Sequence, residues 1–175
     1  MSSESPLAVL GVTGGIAAYK AACLCSLMMK NNWRVQVIMT ENAQRFVTPL
    51  TFQTLSRRPV ITSLWETPDW RPEHVALADE AQLFVVAPAT ANFLGKFANG
   101  IADDALSTFA ITYAGKTVLA PAMNPAMWRN AACQANAALL KERGMIFAGP
   151  AAGHVACGAD GVGRMMEPEE ILKFL

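Results

Sequence analysis

The sequence predicts a single α/β domain built on a doubly wound parallel sheet with helices on both faces. Short, uninterrupted apolar segments alternate with longer segments of helical character along the chain of 175 residues. Uninterrupted apolar runs are typical of strands buried on both faces of a parallel sheet. Their regular alternation with helices indicates crossover connections between parallel strands. No repeat, low-complexity tract or linker divides residues 1–175, so one domain is expected.

The elements follow from apolar periodicity and from the proline and glycine residues between them. Strands are predicted at residues 7–12, 35–39, 60–64, 83–87, 117–120 and 145–148. Helices are predicted at 15–30, 41–56, 74–81, 90–113 and 126–143, with a short one from about residue 168. Residues 65–73 and 149–164 are expected to be loops. Pro49 should interrupt the second helix, Gly100 should break the fourth, and Gly144 should close the fifth. Pro88 and Pro121 should end their strands.

The first predicted helix carries an apolar stripe. Ile16, Tyr19, Cys23 and Leu27 recur near helical spacing. The whole chain is also rich in apolar residues, with 53% hydrophobic and 16% charged residues, whereas globular domains average about 25% charged. We therefore expect other subunits of a homo-oligomer to cover part of the apolar surface.

Charge and hydropathy exclude several classes of protein. The 14 basic and 14 acidic residues balance, which argues against a nucleic-acid partner. No apolar run reaches the ~18 residues that a membrane span needs, and no basic segment precedes the first apolar run as in a secretory signal. We therefore expect no membrane partner.

The four cysteines have no spacing typical of a disulfide framework or a zinc site, so no metal is predicted. A reducing, cytoplasmic location is the simplest account of them. Cys23, Cys25 and Cys133 are interpreted as small core residues.

Polar and glycine residues follow four of the predicted strands: Thr13-Gly14-Gly15, Thr40-Glu41, residues 88–92 and residues 121–124. Ligands of open parallel sheets bind beyond the carboxyl ends of the strands, so these segments should converge on one site. Residues 11–20, GVTGGIAAYK, form a glycine turn into a helix, which favours an anion site to which Thr13 can add a hydroxyl donor. The segment is neither GxGxxG nor a Walker A loop, because Lys20 lies too far along. A simple tight turn remains an alternative.

Two further segments carry asparagines beside predicted helix starts. In PATANF, residues 88–93, Thr90 and Asn92 can either cap a helix or contact a phosphate or a flavin edge. In PAMNPAMW, residues 121–128, Asn124 stands between two prolines, with Met123, Met127 and Trp128 supplying apolar surface. A rigidly held amide in apolar surroundings is suited to bind a carboxylate, although a stiffened helix entry gives the same pattern.

Residues 149–165, GPAAGHVACGADGVGRM, contain five glycines and one cysteine. A long glycine-rich loop is typical of a flap over a site. Cys157 lies near His154 and Arg164 in sequence, and positive charge can tune a thiol, although a plain buried cysteine fits the pattern too. Of the two histidines, His74 begins a predicted helix and can be a site residue or a capping one; His154 has no assigned role.

With these segments, the chain resembles the flavin-dependent cysteine decarboxylase family. The resemblance runs from about Leu7 to Met165 and rests on GVTGGIAAYK, the histidine of HVALADEA, APATAN, PAMNPAMW and ACGADGVGRM. It implies a Rossmann-like or flavodoxin-like sheet and the cofactor FMN. The implied cofactor-binding residues are Thr13, Gly14, Gly15, Thr40, Ala89, Thr90, Ala91 and Asn92.

The resemblance also implies the catalytic roles. His74 would be the base near the flavin, Asn124 would hold the substrate carboxylate, and Cys157 would be the acid on the flap. The implied substrate-binding residues are Asn124, Met127, Ala156, Cys157, Gly158 and Arg164. The expected reaction is the FMN-dependent decarboxylation of 4′-phosphopantothenoylcysteine to 4′-phosphopantetheine in coenzyme A biosynthesis.

Family assemblies are trimers or multiples of trimers with FMN at subunit contacts, and a phosphopantothenate–cysteine ligase domain or protein is a possible partner. This chain encodes no such ligase, so we expect a monofunctional or truncated protein. It departs from the family pattern at Ala159, where Asp usually follows ACG, and at Gln82, where Asp is frequent. Two alternatives remain open: a lantibiotic-type peptidyl-cysteine decarboxylase, which would not need a flap acid, and a non-catalytic flavin-binding regulator.

Overall fold

The computed structural model describes residues 5–65, 73–154 and 160–175. Its strands are β1 Leu7–Val12, β2 Arg34–Met39, β3 Leu83–Ala89, β4 Thr117–Pro121, β5 Ile146–Phe147, β6 Ala151–His154 and β7 Asp160–Arg164. Its α-helices are α1 Ala18–Lys30, α2 Pro49–Ser56, α3 Glu73–Glu80, α4 Ala91–Ala98, α5 Ala105–Thr112, α6 Pro125–Arg129, α7 Ala131–Glu142 and α8 Pro168–Ile171. Short 3₁₀ helices span Ala43–Arg45 and Leu172–Phe174.

The central sheet has five parallel strands in the order β2-β1-β3-β4-β5. The chain leaves β1 towards β2 on one side and returns from β2 to β3 on the other. The order therefore reverses between β1 and β3, and in open sheets this is where ligands bind. The predicted doubly wound parallel sheet is confirmed.

Apolar residues cover both faces of the sheet. Along β1, Ala8 and Leu10 belong to a buried cluster with α1, whereas Leu7 and Val9 belong to a second cluster with α4 and α5. Alternate residues of a strand point to opposite faces, so a strand between two helical layers has to be apolar throughout. This explains why β1 reads as an uninterrupted apolar run.

The apolar stripe predicted on the first helix faces outward. Ile16 and Tyr19, just before and within α1, are 60% and 57% exposed, and Cys23 is exposed too. The buried residues of α1 are Ala18, Lys20, Ala21, Leu24, Cys25 and Met28. Several of these side chains are small, which lets the helix approach the sheet closely, so apolar character alone does not identify the buried face.

The interpretation of three cysteines as core residues is therefore correct for two of them. Cys25 and Cys133 are buried, whereas Cys23 is exposed. Burial raises the pKa of the Cys25 thiol to about 12. It raises the pKa of Cys133 as well.

Three predicted helices have different boundaries in the structure. Pro49 begins α2 rather than interrupting a longer helix, because proline is favoured in a first helical turn. Residues 90–113 form two helices separated at residues 99–104, so the predicted break near Gly100 is confirmed, and α5 begins at the cap Asp104. Residues 126–143 also form two helices. Their break is at Asn130, whose side chain accepts a hydrogen bond from the N–H of Ala132 and starts α7.

The strand predictions also need correction. Residues 60–64 do not form a strand; Ile61 alone makes a parallel bridge to Ile38. Strands β3 and β4 continue through Pro88 and to Pro121, and Ala89 pairs with Pro121 across a shift in register. The last strand of the sheet is shorter than predicted.

The glycine-rich residues 149–164 were expected to be a loop, but they include an antiparallel ribbon of β6 and β7, in which Gly153 pairs with Gly161. Their glycines mask the strand pattern, because glycine is depleted in strands. Residues 155–159 lie outside the described part of the chain, as do residues 66–72 of the other predicted loop. Within the described ranges, no helix combines the length and hydropathy that crossing a bilayer requires, and no group of acidic, cysteine and histidine side chains is arranged to hold a metal ion.

Candidate functional site

A cleft of about 1050 Å³ lies beyond the carboxyl ends of the first four strands. Ten of the residues predicted from the sequence line it: Thr13, Gly14, Gly15, Thr40, Thr90, Ala91, Asn92, Asn124, Met127 and Arg164. Nine of them come from four separate stretches of sequence and meet because the strands that precede them are parallel neighbours. Arg164 is added by β7, the second strand of the antiparallel ribbon. The predicted convergence of the strand ends is therefore present in the fold.

The glycine turn after β1 is packed tightly on one side and open on the other. A Cβ atom at Gly14 would lie 2.4 Å from Cβ of Asn42, so no side chain fits there. A Cβ at Gly15 would meet only Cγ2 of Thr90, at an ordinary 3.6 Å. Gly14 is thus needed for the contact between the ends of β1 and β2, whereas Gly15 leaves space on the side of the cleft.

Thr13 connects two strand ends rather than offering a free donor to a ligand. Its Oγ1 donates a 2.6 Å hydrogen bond to the carbonyl oxygen of Pro88 and accepts a 3.2 Å bond from the N–H of Thr90. The residue is 2% exposed. The hydroxyl proton expected to serve an anion is therefore engaged by the protein, which corrects the role inferred from sequence.

Two helices begin at the cleft, α1 after the glycine turn and α4 after Thr90. The first N–H groups of a helix have no acceptor within it, and none of the described residues accepts a hydrogen bond from the N–H groups of residues 14–17. Thr90 caps α4 by accepting from the N–H of Phe93 at 3.4 Å. Both helix starts therefore present N–H groups and positive dipole ends to the same cleft.

Asn124 lies on the wall formed by the end of β4. Its Oδ1 accepts a 2.7 Å hydrogen bond from the N–H of Ala126, which caps the short helix α6. The turn is also held by the ribbon, because the N–H of Met123 donates to the carbonyl oxygen of Gly163 at 2.9 Å. A Cβ at Gly163 would lie 2.4 Å from the Met123 oxygen, so glycine is required for this contact. Asn124 therefore stands at a helix entry, as one interpretation of its sequence allowed, and its hydrogen bond to Ala126 fixes it at the cleft wall.

Two groups of charges border the cleft at different places. In the first, Nζ of Lys20 lies 2.8 Å and Nη1 of Arg164 lies 3.4 Å from Oε1 of Glu167. The hydrogen bond from Lys20 lowers the pKa of Glu167, burial opposes this shift, and the charges of both cations reinforce it.

In the second group, Nζ of Lys96 lies 2.6 Å from Oδ1 of Asp103 and 3.3 Å from Oδ2 of Asp104. Burial tends to lower the pKa of Lys96, but the hydrogen bonds and charges of the two aspartates raise it overall. The hydrogen bond from Lys96 in turn lowers the pKa of Asp103.

Some predicted residues are not in the described wall. Ala89 is buried behind it, at the end of β3. His74 is half-buried on α3, which packs against α5. Since α3 leads into the amino end of β3, its first turn points towards the carboxyl edge of the sheet, but His74 does not line the cleft of its own chain. Ala156, Cys157 and Gly158 lie outside the described residues.

Sequence reasoning missed other residues of the wall: Lys20, Asn42, Phe93, Lys96, Asp103, Asp104, Gly163 and Met165. For Lys20 a signal existed, because it ends the motif GVTGGIAAYK. Lys96 and the aspartates beside it gave no comparable signal, since a lysine in the last turn of a helix and an aspartate before a helix start are usual on any surface.

The wall suits a ligand that combines an anion with a flat apolar part. The N–H groups of the two helix starts can hold a phosphate. Ile16, Tyr19, Met123 and Met127 supply apolar surface, and the small side chain of Ala91 and the space at Gly15 leave room for a ring. The residues present therefore fit a phosphorylated aromatic cofactor.

The fold and the cleft together define a doubly wound α/β protein with its ligand site at the carboxyl edge of a parallel sheet. The chain belongs to the Flavoprotein family, whose sequence profile matches residues 2–175. This confirms the flavin-dependent character that the resemblance implied.

Individual relatives agree with that assignment. The chain is 47% identical over 169 residues to the coenzyme A biosynthesis bifunctional protein CoaBC of Bacillus subtilis (strain 168). The aligned region covers 95% of this chain and 41% of the relative. The chain thus spans about two-fifths of the length of the curated relatives it matches. A structure of a PPC decarboxylase cysteine mutant complexed with pantothenoylaminoethenethiol has a TM-score of 0.84 and 28% identity, covering 97% of this chain and 94% of that one. The FMN-dependent cysteine decarboxylase SpaF has a TM-score of 0.83 and 27% identity, covering 98% of each chain.

Proposed function

We propose that this chain binds FMN and decarboxylates 4′-phosphopantothenoylcysteine to 4′-phosphopantetheine in coenzyme A biosynthesis. The observation that carries the proposal is the meeting of the glycine turn, the Thr90 turn and Asn124 around one cleft in a chain of the Flavoprotein family. A similar structure belongs to a PPC decarboxylase, and a relative with 47% identity is named for coenzyme A biosynthesis.

The phosphate and ring of FMN are assigned to the two helix starts. In this assignment, N–H groups of Gly14, Gly15, Ala91 and Asn92 bind FMN, with Thr90 positioning the second turn and Thr40 at the edge of the site. Thr13 and Ala89 support this wall from behind, through the Thr13 hydrogen bonds and the pairing of Ala89 with Pro121.

The protein's part in the reaction is to orient the substrate and to move protons. When bound, FMN supplies the redox chemistry, accepting a hydride from the cysteine unit of the substrate and returning it to the product. The amide of Asn124 holds the substrate carboxylate, and Met127 packs beside it. His74 takes a proton as the thiol-bearing unit becomes a thioaldehyde. That group accepts the electron pair of the breaking C–C bond, so CO2 leaves and an enethiolate remains.

Cys157 is proposed as the acid that protonates the enethiolate, with Ala156 and Gly158 beside it on the flap. The support for this assignment is the sequence motif and the ribbon on which it is carried, since β6 and β7 end on either side of residues 155–159. The base of the ribbon is joined to the Asn124 turn through Gly163.

We further propose that the chain forms a homo-oligomer, a trimer or a multiple of trimers. Ile16, Tyr19 and Met127 are 60%, 57% and 49% exposed at the cleft, which is unusual for large apolar side chains that have no partner to cover them. A histidine outside the wall of its own cleft can act on the flavin of a neighbouring copy. The oligomer would therefore both cover this surface and bring His74 to the site.

The remaining assignments concern the context of the chain. We propose that residues 1–175 form a single FMN-binding domain that works in the cytoplasm. A phosphopantothenate–cysteine ligase, fused or separate, would supply the substrate; the relative in Bacillus subtilis is named as a bifunctional protein.

Mass spectrometry of products from two substrates tests the proposal. The FMN-loaded protein should convert 4′-phosphopantothenoylcysteine to the saturated, decarboxylated product and leave a peptide ending in cysteine unchanged. Conversion of the peptide alone, to an enethiol, would instead favour a peptidyl-cysteine decarboxylase. A yellow protein that changes neither substrate would favour a non-catalytic flavin-binding regulator.

A further inference from the structure

Building on the function proposed above, we propose that Arg164 binds the phosphate monoester of the substrate and so selects the phosphorylated form. Glu167, which is shared with Lys20, is the positioning residue that holds the Arg164 guanidinium at the cleft. The proposal rests on the geometry and charge of these three side chains.

Both cations approach the same oxygen atom of one carboxylate. Lys20 and Arg164 lie 2.8 Å and 3.4 Å from Oε1 of Glu167. Glu167 itself is fixed by a capping box at the start of α8, in which its side chain accepts from the N–H of Glu170. A carboxylate held in this way presents Arg164 in a defined place at the end of β7.

Lys20 has an unfavourable position unless Glu167 is charged. It lies in the first turn of α1, where the helix dipole disfavours a cation, and its side chain is only 11% exposed. The lowered pKa of Glu167 keeps its carboxylate ionised at neutral pH. The ion pair therefore joins α1, behind the glycine turn, to the segment that follows the ribbon.

The charges at this end of the cleft do not balance. Lys20 and Arg164 contribute two positive charges against one negative charge from Glu167, which leaves +1. At the second charged group, Lys96 faces both Asp103 and Asp104, which leaves −1. An anionic part of a ligand is therefore favoured beside Arg164 and disfavoured beside Lys96.

Among the cations in the described wall, Arg164 is also the most accessible. Its side chain is 42% exposed, compared with 11% for Lys20 and 20% for Lys96. Its guanidinium lies against Gly153 on the neighbouring strand of the ribbon, with Nε 3.5 Å from where a Cβ would be. A planar fork held at its stem is suited to bidentate recognition of a phosphate.

Arg164 belongs to the part of the wall assigned to substrate rather than to cofactor. It follows Gly163, whose carbonyl oxygen accepts from Met123 next to Asn124. The N–H groups assigned to the FMN phosphate come from α1 and α4 instead. The phosphate monoester beside Arg164 is therefore that of the substrate, and the experiment has to separate it from that of FMN.

Calorimetry and kinetics on the FMN-loaded protein test the proposal with matched ligands. Wild type should bind 4′-phosphopantetheine more tightly than pantetheine, by about tenfold or more, as expected for a charge-assisted contact. Arg164→Met should remove this preference and raise KM for 4′-phosphopantothenoylcysteine by a similar factor, with kcat and the KM for pantothenoylcysteine little changed. Arg164→Lys, which keeps the charge but loses the fork, should retain part of the preference.

Glu167→Gln should raise KM for the phosphorylated substrate by a smaller factor, about threefold, without changing kcat, because Arg164 remains but is less well held. Arg129→Met and Glu169→Gln are the controls, since they remove like charges at exposed positions outside the described wall. Both should keep the wild-type preference. A general loss of stability would change kcat and both substrates together.

Three results would overturn the proposal. The first is equal affinity of the wild type for 4′-phosphopantetheine and pantetheine. The second is an equal rise in KM for the phosphorylated and unphosphorylated substrates in Arg164→Met. The third is a lower affinity of that variant for FMN with no change in its affinity for riboflavin. The last result would assign Arg164 to the cofactor phosphate. A wild type that prefers 4′-phosphopantetheine but decarboxylates neither substrate would contradict the proposed function and support the phosphate site.

Discussion

The Oγ1 hydroxyl of Thr13 donates a 2.6 Å hydrogen bond to the carbonyl oxygen of Pro88 and so ties the end of β1 to the end of β3. The same oxygen accepts from the N–H of Thr90, the residue that caps α4. These strands flank the point where the strand order reverses. One buried hydroxyl thus sets the separation between the two turns assigned to FMN.

Replacing Thr13 by valine should therefore weaken both stability and FMN binding. The change keeps the shape but leaves the buried Pro88 oxygen and Thr90 N–H without this partner, which costs about 1–3 kcal/mol. Urea unfolding of the FMN-free protein measures the first effect and FMN titration the second. Thr13→Ser should stay close to wild type. A valine variant with wild-type unfolding and FMN affinity would show that Thr13 has no such role.

Alanine substitutions at the two adjacent glycines should have separate effects. Gly14→Ala places a Cβ 2.4 Å from that of Asn42 and 2.9 Å from its backbone carbon, so the turn has to shift and thermal stability should fall. Gly15→Ala meets Thr90 at 3.6 Å and should leave stability near wild type while placing a methyl group in the cleft. Thermal unfolding without FMN compares them. Equal stability losses would contradict the assigned packing.

Asn124→Asp should preserve the fold and impair turnover. Aspartate can still accept from the N–H of Ala126, so the cap on α6 is kept. The new negative charge faces the substrate carboxylate, which should lower kcat/KM by about tenfold or more. Steady-state kinetics with 4′-phosphopantothenoylcysteine measures this loss. Unchanged kcat/KM in a folded variant would rule out the carboxylate assignment.

The exposed and buried cysteines of α1 should differ in reactivity. Iodoacetamide near neutral pH should modify Cys23 and spare Cys25, because Cys25 is buried and its pKa is raised to about 12. Peptide mass spectrometry before and after adding urea distinguishes them, and urea should expose Cys25. Modification of Cys25 at the rate of Cys23 in the native protein would contradict the orientation of this helix.

The different exposure of Cys23 and Cys25 also shows that the orientation of α1 did not follow from the apolar pattern of the sequence. Alternation of apolar runs was enough to predict the sheet, because a strand buried on both faces has to be apolar throughout. It did not identify the buried face of α1, where the larger apolar residues Ile16 and Tyr19 point outward and small ones pack on the sheet. The buried face combines small residues such as Ala21 with Leu24 and Met28, so apolar character alone did not identify it.

The site was predictable to the extent that it follows strand ends. The turns around Gly14, Thr90 and Asn124 meet because their strands are parallel neighbours, and sequence alone indicated this. The partnership of Lys20 with Glu167 was not predictable, since the two residues are 147 positions apart and pair only through packing of α1 on α8. The β-ribbon was missed because its glycines mask the strand pattern.

Titration of the FMN-free wild-type protein with FMN, followed by addition of 4′-phosphopantothenoylcysteine, tests the central claim most directly. The account predicts saturation at one FMN per chain, loss of CO2 from the substrate, and the saturated thiol as product. A folded protein that takes up no FMN, or one that binds FMN and leaves this substrate unchanged, would contradict it.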